Sequence, residues 1–223
     1  VRVMRERKQL DTLVQFARDA KNADVREEYL KQLFGSTEAM AALIEAGHYD
    51  ALFQLATADH DETTRVYLLS QFYTNSQVIE QLIEKKQGGV LLEFAEEHAD
   101  DKRMLSFLQR LFFNQTAVAA LVAEGHTDAL LEVASQHKNK YLRDSLLRTL
   151  FGSAQVVEHY AENERLEDMF ELIGGESSES RYQIYYNMII RSDTIAVLVE
   201  HEWVDPFLNL VKTEAKPDRR GQL

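Results

Sequence analysis

The chain has 223 residues, of which 45% are apolar and 28% charged, and this composition is typical of a folded domain and excludes a disordered one. Its formal net charge of −12 disfavours binding to nucleic acid or to anionic membranes, both of which need clustered Lys and Arg. The same charge favours a protein partner that is basic or neutral. The absence of cysteine excludes disulfides and thiolate chemistry.

The predicted elements are all α-helices, because the sequence has only two prolines and is rich in good helix formers. Val1 and Met4 match apolar positions of later helices, so the chain is expected to begin inside a helix. A second and a third helix follow within residues 8–35. These elements form an incomplete first repeat over residues 1–35.

The clearest three-helix group comes next. Ser36 is a good N-cap for a first helix over about 37–46, and Gly47 can end it in the left-handed conformation. A second helix over about 48–58 and, after a polar turn, a third over about 62–74 complete the group. The same order is predicted over 75–113, 114–152 and 153–190, followed by two helices over 191–212 and a polar, mobile tail over 213–223.

An internal repeat supports this division, since similar segments start at Leu33, Phe72, Leu111 and Leu150, 39 residues apart each time. When the segments are aligned, apolar and small residues fall into common columns. The columns are Leu43, Leu82, Leu121, Tyr160 and Leu198; Leu52, Leu91, Leu130, Met169 and Phe207; and Ala56, Ala95 and Ala134. Such a stripe is too wide for one group to bury alone, so neighbouring groups are expected to stack on each other.

The segments Leu43–Gly47 and Ala51–Leu55, and their counterparts at Leu121–Gly125 and Ala129–Leu131, resemble the armadillo repeat, whose first helix ends in Glu-Ala-Gly before a Leu-rich second helix. The helix that begins with Asp24-Val25-Arg26 is similar to a HEAT helix. The resemblance implies an all-α, right-handed α-α superhelix, or solenoid, as one domain over residues 1–212. It is informative about architecture and says little about function.

Armadillo grooves that hold extended peptides use an Asn on successive third helices, and two alignments place that column differently here. One gives Gly35, Thr74, Phe113, Gly152 and Ile190, and the other gives Ser36, Asn75, Asn114, Ser153 and Arg191. We interpret the second set as N-caps of the following helices, because Ser and Asn are preferred at that position. Capture of an extended peptide in the armadillo manner is therefore not supported.

The polar columns of the third helices are the candidate partner-binding surface, because third helices usually line the concave face of such arrays. They carry Tyr and Arg, which are enriched where interfaces gain most of their energy. The alternative is an ordinary solvated face. The candidate residues are Tyr67, Gln71, Gln109, Arg110, Arg148, Tyr186 and Asn187.

An arginine recurs at the start of the third helices. The arginines at this position are Arg26, Arg65, Arg143 and Arg181. The favoured interpretation is structural, with the side chains lying between groups and the guanidinium groups binding carbonyls or carboxylates of a neighbour. Anion binding is the alternative.

Trp203 stands near Val204 and Phe207 in the last group, which ends before its third helix. This arrangement predicts an apolar terminal face that is covered by a missing helix, a partner or a second copy of the chain. Self-association through terminal faces is therefore one expectation.

The residues predict no catalytic site, cofactor or metal site, since the seven histidines show no ligand spacing and no phosphate loop occurs. The favoured function is a non-catalytic, cytoplasmic scaffold that binds a protein or peptide through its concave face. The alternative is an enzyme or nucleic-acid-binding protein on a HEAT-like scaffold, similar to the alkylpurine DNA glycosylases. That family binds DNA through a basic concave face, and the acidic charge of this chain disfavours it.

Overall fold

A computed structural model describes residues 7–20, 22–58, 61–99 and 101–214. In these ranges the chain forms sixteen α-helices and no strand, so the all-α prediction is confirmed. The chain divides into two compact units, residues 1–111 (unit 1) and 112–223 (unit 2), and each is described by itself. The predicted helical segment at Val1 and Met4 lies outside the described residues.

Unit 1 holds eight helices, the last of which ends two residues beyond it. Helix α1 packs on α2 and α4, α2 on α3 and α5, α5 on α4 and α6, and α3 on α6. The helices are α1 (Arg7–Asp19), α2 (Ala23–Phe34), α3 (Thr37–Glu45), α4 (Tyr49–Thr57), α5 (Glu62–Tyr73), α6 (Ser76–Glu84), α7 (Gly89–Glu97) and α8 (Met104–Phe113).

Unit 2 holds the remaining eight. Helix α12 packs on α9 and α15, α11 on α10, α12 and α14, and α14 on α13, α15 and α16. The helices are α9 (Gln115–Ala123), α10 (Thr127–Ser135), α11 (Lys140–Phe151), α12 (Ala154–Glu162), α13 (Leu166–Gly174), α14 (Ser178–Ile189), α15 (Ser192–Glu200) and α16 (Val204–Glu214). Helix α16 extends into the segment predicted as a mobile tail, and residues 215–223 lie outside the described residues.

The first helices of the predicted groups start where the sequence places them. Helices α3, α6, α9, α12 and α15 are each nine residues long and begin at residues 37, 76, 115, 154 and 192. Ser36, Asn75 and Asn114 accept backbone hydrogen bonds as N-caps, whereas the side chains of Ser153 and Arg191 do not. The capping interpretation is confirmed for the first three, because their side chains are used on the helix that follows them.

The aligned apolar columns form the core of both units. Every member of the Leu43, Leu52 and Ala56 columns is buried, and all five residues of the Leu52 column have no exposed surface. These buried side chains supply most of the stabilisation of each unit, because folding removes their apolar surface from water.

Left-handed residues end the first helices. Gly47 and Gly125 adopt φ of 89° and 85° after α3 and α9. At the same place after α6, α12 and α15, the chain uses Lys86, Glu164 and Glu202 with φ of 54°, 56° and 59°. A side chain in this conformation costs about 1–2 kcal/mol, because its Cβ crowds the following carbonyl.

We expect Lys86→Gly and Glu164→Gly each to raise the free energy of unfolding by about 0.5–1 kcal/mol, since relief of strain exceeds the entropy that glycine adds to the unfolded chain. Gly47→Ala should have the opposite sign. Apart from Gly47 and its two chain neighbours, no described residue has an atom within 4 Å of the position that its Cβ would take, so only the backbone is strained. Urea unfolding of the three variants measures this. Destabilisation by both glycine substitutions would contradict the assignment of strain.

No helix in the described part of the chain is both long enough and apolar enough to cross a membrane.

Candidate functional site

The junction between α11 and α14 positions the candidate residues of unit 2. The side-chain amide of Asn187 on α14 donates a hydrogen bond of 2.8 Å to the backbone carbonyl of Arg148 on α11. This approach needs Gly152, since a Cβ there would lie 2.1 Å from Asn187 Nδ2. The hydroxyl of Thr194, which is buried, also donates to the Gly152 carbonyl at 3.0 Å. The end of α11 is therefore held by side chains of α14 and α15, which belong to the two following groups.

The exposed side of α14 carries a stripe of large side chains, which we call the tyrosine stripe: Tyr182, Tyr186 and the C-cap residue Ile190. A spacing of four residues places them on one face of the helix. The rings of Tyr182 and Tyr186 are stacked, with centroids 6.3 Å apart. Tyr186 is 40% exposed and Ile190 is 59% exposed. The stripe is thus apolar, pre-ordered by ring stacking and accessible to a partner.

Charged groups of α11 lie in the same unit. Lys140 forms an ion pair of 2.7 Å with Asp144 one turn later. Arg148 is half-buried, and among the described residues its guanidinium makes no ion pair. An arginine guanidinium can bind the two oxygens of a carboxylate in two-pronged geometry. Unit 2 therefore brings Arg148 and Asn187 together and places Tyr186 beside them in sequence.

The candidate residues of unit 1 have different surroundings. Tyr67 is half-buried on α5, and its hydroxyl lies 3.3 Å from where a Cβ of Gly35 would be. Gln71 is half-buried one turn further along α5. Gln109 and Arg110 are exposed on α8. Tyr67 thus covers the end of α2 as Asn187 covers the end of α11.

The recurring arginines do not share one role. Arg143 reaches Glu176 in the following group at 3.6 Å, which is the kind of contact that the sequence predicts. Arg181 binds within its own group and donates to the carbonyls of Gly174 and Glu176 at 3.0 and 2.6 Å. Arg65 is exposed and pairs with Glu62 one turn earlier on its own helix. Arg26 is half-buried on α2.

Sequence reasoning missed Arg103, which stands one residue before the column, where Met104 interrupts it. Its guanidinium donates to the Thr63 carbonyl of the preceding group at 2.7 Å and to the Asp101 carboxylate at 2.8 Å. The hydrogen bond between Arg103 and Asp101 holds the pKa of Asp101 below and the pKa of Arg103 above its ordinary value. The sequence contained a signal for Arg103, because it lies one residue before the repeat position that the other arginines occupy.

Trp203 packs inward and is half-buried. Its ring stacks on Phe170, with centroids 5.5 Å apart, and Phe207 contacts the same ring at 5.7 Å. Phe207 has no exposed surface. The aromatic residues that suggested an apolar terminal face are therefore largely used inside unit 2, and self-association through terminal faces stays a prediction.

These residues are able to take part in packing and hydrogen bonding with another molecule. Within residues 7–20, 22–58, 61–99 and 101–214, no group of three His, Asp or Glu side chains could hold a metal ion. Exposed aromatic rings, an exposed aliphatic residue and a guanidinium are the side chains that anchor protein interfaces.

Comparisons of the chain with protein-family models, with curated proteins and with solved structures found no match.

Proposed function

We propose that this chain is a non-catalytic scaffold that binds a protein or peptide through the concave face of its helical array, which the third helices line. In this proposal the helices form a right-handed solenoid of three-helix repeats of the armadillo and HEAT kind. Two features support the solenoid: first helices begin at near-constant spacing, and equivalent helices contact each other within each unit, as α2 contacts α5 and α12 contacts α15.

The observation that carries the proposal is the tyrosine stripe on α14, the helix whose Asn187 binds the backbone carbonyl of Arg148 on α11. A tyrosine presents a large, rigid contact area at low entropic cost, and the Tyr182–Tyr186 stack restricts it further. Side chains of this size that remain 40–59% exposed, as Tyr186 and Ile190 do, gain free energy when a partner removes them from water.

The partner is expected to be a basic or neutral protein or peptide, because the chain carries a net charge of −12. The unit 1 candidates offer polar contacts of their own, and Arg110, which is exposed on α8, is the charged residue among them. Polar residues around an apolar centre add specificity more than affinity.

The test is quantitative affinity purification of the intact chain and its variants from extracts of the source organism. Tyr186→Ala and Arg148→Ala should each reduce recovery of one common set of proteins, since removal of a central anchor costs about 2 kcal/mol, or roughly thirtyfold in affinity. Leu172→Ala is the matched control, because Leu172 is a 51% exposed apolar residue on α13 of the same unit.

Recovery of the same proteins at the same level by all three variants would contradict the proposal. Circular dichroism confirms that each variant keeps its helical content, so that a loss of binding cannot reflect unfolding.

A further inference from the structure

An open apolar groove lies along α1 and α2 of unit 1, far in sequence from the tyrosine stripe. Its floor is formed by Phe16, Val25 and Tyr29, and its volume is about 380 Å³. The rings of Phe16 and Tyr29 meet edge to face, with centroids 4.9 Å apart. Phe16 is 50% exposed and Val25 is 52% exposed. Two large apolar side chains that lie together at the surface are typical of an interaction site.

Of the described residues that line this groove, the charged ones are all acidic. Asp24 and Glu28 border the floor, and Asp19 borders the adjoining pocket that shares Phe16. Two of the described cations on these helices have partners outside the groove, since Lys31 pairs with Glu27 and Arg18 donates to Gln54 at 3.2 Å. The groove therefore combines an apolar floor with a rim that carries Asp19, Asp24 and Glu28.

The corresponding face of the next helix pair shows what kind of structure fits. The residues 39 positions after Phe16, Val25 and Tyr29 are Leu55, Thr64 and Leu68, and all three are buried. Helices α1 and α2 cover that face by packing on α4 and α5. The Thr64 hydroxyl, for example, donates to the Glu27 carboxylate at 3.1 Å. A helix is therefore the kind of structure expected to pack on this face.

We propose that the α1–α2 groove binds an amphipathic helix of a partner protein. The apolar side chains of that helix would contact Phe16 and Val25, and its Lys or Arg side chains would pair with Asp19, Asp24 and Glu28. The acidic rim selects a basic helix, because opposite charges at the edge of an interface steer association and fix orientation. A second copy of the chain is the weaker candidate, since each copy carries a net charge of −12. The inference goes beyond the proposed function, whose candidate residues lie on α5, α8, α11 and α14.

The test uses the full chain and a synthetic helix of about 18 Leu and Lys residues, which spans about five turns, with Leu on one face. Binding is followed by fluorescence anisotropy at about 0.15 M salt, where the Debye length is about 8 Å and long-range attraction is screened. Val25→Glu and Glu28→Lys should each raise the Kd about tenfold or more. Val25→Glu places a charge on the apolar floor, and Glu28→Lys reverses the sign of a charge on the rim.

Two matched controls separate this site from general attraction to an acidic protein. Glu132→Lys makes the same charge change, and Glu132 accepts a hydrogen bond from Gln136 at 2.9 Å just as Glu28 does from Gln32. Val199→Glu makes the same apolar-to-acidic change at a residue 58% exposed on α15. Both controls should change the Kd by less than about twofold, since exposed residues outside a contact contribute little.

A peptide of the same composition with its Leu and Lys positions shuffled should bind about tenfold more weakly, because it lacks an apolar face. Equal binding of the shuffled peptide, or equal weakening by Glu28→Lys and Glu132→Lys, would overturn the proposal. Sedimentation velocity is expected to show a monomer. A dimer that Val25→Glu abolishes would also overturn it and assign the groove to a second copy.

Discussion

Replacing Gly152 by alanine should lower the free energy of unfolding by about 1–3 kcal/mol, the usual cost of overpacking. The new Cβ would lie 2.1 Å from Asn187 Nδ2 and 3.1 Å from its Cγ, so the side chain must move. Movement of Asn187 removes its hydrogen bond to the Arg148 carbonyl. The backbone is not the cause, since Gly152 has an ordinary φ of −80°.

Gly35 provides the matched control, because it ends α2 as Gly152 ends α11. A Cβ at Gly35 would meet the Lys31 carbonyl at 2.9 Å, close to the 3.0 Å between a Cβ at Gly152 and the Arg148 carbonyl. The nearest side-chain atom to that Cβ would be the Tyr67 hydroxyl, at 3.3 Å. Gly35→Ala should therefore cost less than Gly152→Ala, by about 1 kcal/mol or more.

A double-mutant cycle isolates the contact with Asn187. In an Asn187→Ala background, Gly152→Ala should be milder by about 1–2 kcal/mol, a coupling typical of residues in direct contact. Strictly additive effects in urea unfolding would show that the approach of Asn187 to Gly152 does not matter.

Alkaline pH should destabilise both units because each buries a tyrosine. Burial raises the pKa of Tyr73 in unit 1 to about 12, with Tyr49 and Glu93 contributing. Burial also raises the pKa of Tyr160 in unit 2 to about 12, where Asp128 contributes and Arg165 opposes the shift. The unfolded chain keeps the ordinary pKa of about 10.

Below pH about 10 both states keep the phenol proton, so the stabilisation is fully present. Between pH about 10 and about 12 only the unfolded state loses the proton, and the free energy of unfolding falls by about 2–3 kcal/mol for each tyrosine. Tyr29 and Tyr49 add to the loss, since burial raises the pKa of each.

The check is urea unfolding at a series of pH values from about 9 to about 12, across the titration range of the two phenols. The double variant Tyr73→Phe and Tyr160→Phe should lose clearly less stability over this range than the wild type. Parallel profiles for the two proteins would contradict the assignment of the loss to these phenols.

The helices were predictable because their start and stop signals are local. Ser36 and Asn114 cap the helices that follow them, and Gly47 adopts the left-handed conformation expected of it. Lys86 and Glu164 were not predictable as left-handed residues, since neither favours that conformation. Only their place in the repeat, equivalent to Gly47, points to it.

The candidate site was predictable in outline and not in detail. The sequence placed Tyr186 among the exposed residues, and the structure shows it exposed. The sequence also placed Asn187 there, whereas its amide is used on the Arg148 carbonyl. This difference depends on how closely α11 and α14 approach at Gly152, and no local pattern specifies the distance between two helices.

The most direct measurement of the central claim is photo-crosslinking from the α14 surface. A benzophenone amino acid replaces Tyr186 in one variant and Leu172 in another, and both are irradiated in extracts of the source organism. Specific protein adducts should form from position 186 and not from position 172, because only the first lies on the proposed binding face. Adducts from position 172 alone, or the same adducts from both positions, would contradict a binding surface on α11 and α14.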